Sequence, residues 1–141
     1  MRTKMFALIS TFSIAALPVL AHADITVYNN TDSYATAYVK DSPCSSDLGN
    51  SGVAKPRQSL NIPHIVFTKY CGFSTCDAHI FATKDCGASG KEVATVTIDG
   101  FLGEVKSVNN LDSAHYDIQH GKNSVTVDAK SLFKNWFNFI F

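Results

Sequence analysis

The chain is 141 residues long and carries 12 basic and 12 acidic side chains with four cysteines. A net charge of zero, with no cluster of Lys and Arg, excludes nucleic acid as a partner, because that binding needs a basic patch to replace counterions. Beyond the first twenty residues no apolar run is long enough to cross a bilayer as a helix, so no transmembrane helix is expected after that point.

Residues 1–23 read as an export signal. Arg2 and Lys4 precede an apolar run from Met5 to Leu20, and Ala21-His22-Ala23 then supplies small residues at the minus-three and minus-one positions. A charged start, an apolar middle and an Ala-x-Ala exit describe a signal peptide rather than a structural helix. Cleavage is expected between Ala23 and Asp24, which places the protein in the periplasm or the extracellular space. The remaining 118 residues carry ten basic and twelve acidic side chains, enough chain for one domain with its own core.

From Asp24 onward the chain reads as short strands divided by turn residues. Ile25–Tyr28 alternates and stops at Asn29-Asn30-Thr31-Asp32, and Ala35, Ala37 and Val39 alternate with Tyr34, Thr36, Tyr38 and Lys40. Further strands are expected over 58–62, 64–69, 77–83 and 93–98, all rich in Val, Ile, Thr and Phe. Val93 to Ile98, Asp99-Gly100, and Phe101 to Val108 read as a hairpin, because Asp-Gly suits a tight turn in which both central residues take positive φ. After Asn109-Asn110-Leu111-Asp112, the residues Ala114, Tyr116 and Ile118 alternate again, and a turn near His120-Gly121 leads into Ser124 to Asp128. About eight to nine short strands with turns at this spacing predict an antiparallel β-sandwich over 24–130.

Cys44, Cys71, Cys76 and Cys86 all follow the leader. An even number in a short exported chain points to disulfides, and the spacing lacks the two close pairs of a four-thiolate zinc site. An extended 77–83 spans roughly 23 Å at about 3.3 Å per residue, which separates Cys76 from Cys86 too far for a bond. The preferred pairing is therefore Cys71–Cys76, closing a short loop, and Cys44–Cys86, tying early strands to the middle.

The last segment, 131–141, does not alternate. Wound as a helix, it sets Leu132, Phe133, Trp136, Phe137, Phe139, Ile140 and Phe141 on one arc and Ser131, Lys134, Asn135 and Asn138 on the other. A short amphipathic C-terminal helix is expected, either capping an open end of the sandwich or resting on a membrane or partner. In the second case Trp136, Phe137, Ile140 and Phe141 are the binding candidates.

Few residues suggest chemistry. Asp77 with His79, and His115 with Asp117, each share a strand face at a spacing of two. Were those strands neighbours, the four would offer a mixed oxygen–nitrogen metal site; the plainer expectation is two solvated polar faces. His64 and His120 stand alone at strand ends. Gly87-Ala88-Ser89-Gly90-Lys91 has the wrong glycine spacing for a phosphate loop and reads as a turn. No Gly-x-Ser-x-Gly elbow or His-Glu-x-x-His motif is present, and oxidised cysteines are not nucleophiles. No enzyme and no cofactor is expected. Tyr28, Tyr34, Tyr38, Phe81 and Tyr116 offer rings for a sugar or protein platform, and Asn29-Asn30-Thr31, formally a glycosylation triplet, reads first as a strand-ending turn.

The order of leader, Asp24-Ile-Thr-Val-Tyr-Asn-Asn-Thr31 strand, Cys44, Cys71, Cys76, Cys86 and Val93-Ala-Thr-Val-Thr-Ile98 strand resembles small exported disulfide-containing proteins of Gram-negative bacteria. The resemblance covers about residues 24–98 and implies export but no activity. The expected function is non-catalytic recognition of a protein, glycan or membrane surface in the periplasm or outside the cell. The alternative is a secreted membrane-active or host-directed factor that uses the aromatic tail.

Overall fold

The computed structural model describes residues 23–87 and 91–130. The leader, positions 88–90 of the Gly87–Lys91 turn, and the tail with its expected helix and the candidates Trp136, Phe137, Ile140 and Phe141 lie outside the described residues.

The described chain is mostly β, with eight strands in two four-stranded sheets. In chain order these are β1 (Ile25–Asn30), β2 (Thr36–Val39), a 3-10 segment (Ser45–Gly52), β3 (Ser59–Ile62), α1 (His64–Cys71), β4 (Thr75–Phe81), β5 (Glu92–Asp99), β6 (Glu104–Asn110), β7 (Tyr116–His120) and β8 (Ser124–Ala129). The first sheet runs β3-β1-β8-β7 and the second β2-β4-β5-β6. Alternation places Ile25, Val27, Leu60, Ile62, Val125 and Val127 of the first sheet in the same buried cluster as Val39, Ala78, Ile80, Val93, Val96 and Ile98 of the second. One core is therefore built from both sheets, as a period of two on half-buried strands requires.

Three expectations are corrected. The architecture is not purely antiparallel, because β1 and β8 pair in parallel with Val27 opposite Val125. A parallel pair needs a long connection, and nearly the whole described chain lies between these two strands.

Residues 64–69 form a helix rather than a strand. Ile65-Val66-Phe67 favours extended backbone by composition, but winding the segment puts Phe67 and Cys71, four apart, on one buried face, with Phe67 0% exposed. Pro63 ahead of the helix and Gly72, with φ +63°, just past its end are the local signals that mark it.

The Asp99-Gly100 turn is not a two-residue turn. The loop is Gly100–Gly103, and Gly103, at φ +70°, rather than Asp99 or Gly100, takes the left-handed backbone. The Asp99 carboxylate accepts the N–H groups of Phe101 (2.9 Å) and Leu102 (3.0 Å), and Gly103 N–H returns to the Asp99 carbonyl at 2.8 Å. Asp99 thus organises the loop through its side chain, a habit of Asp in turns.

Candidate functional site

The histidine and carboxylate pairs noted in the sequence are not brought together. Asp77 and His79 lie on β4 of the second sheet, while Asp117 lies on β7 at the edge of the first. His115 precedes β7 altogether, in a turn where its N–H reaches the Asp112 carbonyl and its Nδ1 lies 2.7 Å from the Asp112 carboxylate. His79 Nδ1 is 2.6 Å from Glu92 Oε1, with Tyr38 stacked on its ring, and Asp77 accepts the Thr97 hydroxyl. Asp77, His79 and His115 each have a local partner, and the described residues hold no cluster of three or more His, Cys, Asp or Glu suited to a metal.

His64 Nε2 lies 3.1 Å from the Phe101 carbonyl, and His120 Nδ1 3.0 Å from that of Gly121. The rings considered as a platform are divided as well. Tyr28 and Tyr116 belong to the first sheet, Tyr38 and Phe81 to the second, and Tyr34 lies under the Lys84 ammonium. Asn29 is buried, donates to the Ser33 and Lys55 carbonyls and accepts the Thr31 hydroxyl. Asn29 and Asn30 are thus the last residues of β1 rather than a turn, and the Asn29 side chain is fully engaged.

Cys44 is bonded to Cys86 and Cys71 to Cys76, with Cα separations of 5.6 and 5.5 Å. The second bond closes the step from the end of α1 into β4. The first anchors the 3-10 segment to the chain beyond β4 and helps shape the one feature that sequence reading missed.

That feature is a groove of about 690 Å³ along the side where β2 and β3 are the outer strands of their sheets. Ala37 and Val39 of β2 and Leu60 and Ile62 of β3 line it, so it opens directly on the core. The 3-10 segment contributes Leu48 and Gly52, and α1 contributes Ile65, Val66, Lys69 and Tyr70. Leu48 and Ile65 are 69% and 68% exposed.

Two serine hydroxyls of the groove are already engaged. Ser45 Oγ accepts the Ala37 N–H at 3.0 Å and donates to the Gly52 carbonyl. Ser42 Oγ accepts the Val39 N–H at 2.9 Å and donates to the Pro43 carbonyl. The outer N–H groups of β2 are thereby closed to a further strand, a common protection of sheet edges.

Helix α1 is held in place from the other sheet's first strand. Asp24, just ahead of β1, accepts the His64 N–H at 2.8 Å and the Asn61 amide at 3.1 Å. The His64 backbone N–H, and after it the Asn61 amide, hold the Asp24 carboxyl below its ordinary pKa of 3.8, because both bonds favour the charged form.

No protein-family model matches the chain, and no curated protein matches it. In three dimensions it is similar to the crystal structure of the type II secretion system substrate NttC of Legionella pneumophila. The TM-score is 0.55 at 16% identity, over 77% of this chain and 98% of that one. At that identity the likeness is one of fold.

Proposed function

We propose that this chain is an exported, non-catalytic binding protein of the periplasm or the extracellular space, with a two-sheet sandwich as scaffold and the β2–β3 groove as its recognition element. The groove carries the reading: a concave apolar site with exposed Leu48 and Ile65 at its lips is the usual form of a small-ligand site. Export is supported by two disulfides, which persist in oxidising compartments, and by the fold likeness to a secretion substrate. The described lining holds no carboxylate, imidazole or unpaired thiol.

The test uses Nile red, an uncharged dye that brightens in apolar sites, on the oxidised protein recovered after export. Wild type should brighten the dye, and Leu48→Asp with Ile65→Asp should lower the signal several-fold while leaving the melting temperature nearly unchanged. Equal binding by the variant would overturn the groove as the site.

A second reading, attachment to a membrane or host surface, is favoured by another observation. Phe73 is 84% exposed and packs its ring 5.4 Å from that of Phe101, beside Leu102, to form an apolar tip. No helix of the described residues is long and apolar enough to cross a membrane, so attachment would run through this tip or the 131–141 tail. Liposome co-sedimentation of wild type, Phe73→Ser and a chain lacking 131–141 distinguishes them. Loss with one variant assigns the contact, and no binding by wild type removes the reading.

A further inference from the structure

We infer that the groove takes the alkyl chain of a long-chain carboxylate, with the Lys69 ammonium at the lip receiving the carboxylate. The inference rests on the groove being the binding site and adds the chemistry of the occupant. Three observations narrow that chemistry.

The backbone N–H groups of Ala37 and Val39 are taken by Ser45 and Ser42. An extended peptide laid along β2 would find no strand partner, and its own amides would be desolvated without compensation. An alkyl chain brings no such groups.

The size of the site also decides against a helix. A cylinder of about 10 Å diameter fills 690 Å³ in fewer than about two turns, whereas that volume lies within the range of roughly 300–1,000 Å³ common for small molecules.

Charge sets the head group. Lys69 is the one charged side chain among the described lining residues, and no acidic residue stands among them. Lys69 is exposed and its ammonium lies 5.3 Å from the centre of the Tyr70 ring, and a lysine on an apolar lining can lay its methylene stem along that surface while its charge stays in water. An apolar channel with a single cation at its edge matches a single-chain amphiphile with an anionic end.

The experiment is displacement of Nile red from the oxidised protein by dodecanoate, tetradecanoate and hexadecanoate and by 1-hexadecanol, all at monomeric concentrations. Affinity should rise roughly tenfold for each two carbons until the groove is full. Hexadecanoate should bind about threefold to fivefold more tightly than hexadecanol, the range of a partly exposed ion pair, with the advantage shrinking at high salt. Lys69→Met should erase that advantage without weakening hexadecanol, and Lys69→Arg should restore it. If alcohol and acid displace the dye equally, or Lys69→Met leaves their ratio unchanged, the carboxylate assignment is overturned while the groove remains a binding site. If Nile red binds wild type and the Leu48→Asp/Ile65→Asp variant alike, the site itself is wrong, and the inference falls with it.

Discussion

Asp24 is exposed, yet its carboxylate receives a helix N–H and a side-chain amide from residues about forty positions away. Its folded pKa is lowered, so its contribution is complete above the ordinary value of 3.8 and is lost as pH falls through the lowered one. Asp24→Ala should cost about 1 kcal/mol or less near neutral pH. The difference in urea midpoint between wild type and variant should shrink once the pH falls below 3.8 and close as it passes through the lowered pKa. Gly100 has a steric task. A Cβ there would stand 2.5 Å from the Cys71 Cβ and 2.7 Å from the Ser74 carbonyl oxygen. Gly100→Ala is expected to destabilise by about 1–3 kcal/mol, as overpacking does, and thermal melting of the oxidised protein checks it. Neither role is visible locally, since both partners come from distant segments. Asn29 differs, because its engagement with Thr31 and Ser33 follows from its place near the end of β1, just ahead of the bend at Thr31.

Strands with clean alternation were legible. Ile25, Val27 and Asn29 face inward on β1, and Val93, Val96 and Ile98 on β5, displaced only where a bulge falls opposite Ile80–Phe81. The stretch 64–69 was not legible, because β-branched and aromatic residues suit a strand and the helix exists through burial of Phe67 and the cap from Asp24. Phe67→Ala should therefore cost about 3–5 kcal/mol, measured by denaturant unfolding. The disulfides differ in reach, with sequence separations of 42 and 5. In the chain-entropy model the longer closure contributes about 4 kcal/mol and the shorter about 2. Replacing Cys44 and Cys86 with Ala should thus lower the melting temperature more than replacing Cys71 and Cys76, and calorimetry of the two variants gives the order. The pairing favoured by strand length is the one present, although Cys71 ends a helix rather than a strand.

At the scale of the molecule, sequence pattern reached the β character and the shared core but not the groove. The groove is assembled from β2, the 3-10 segment, β3 and α1, and reading α1 as a strand removed one of its walls. The parallel pairing of β1 with β8 has a consequence for the order of assembly. Strand β1 is synthesised well before β8, yet β8 stands between β1 and β7 in the sheet. Until Ser124–Ala129 is available, β1 has only β3 of its two sheet partners to pair with. The closing β1–β8 step joins segments separated by nearly the whole described chain, the kind of long-range pairing that folds slowly.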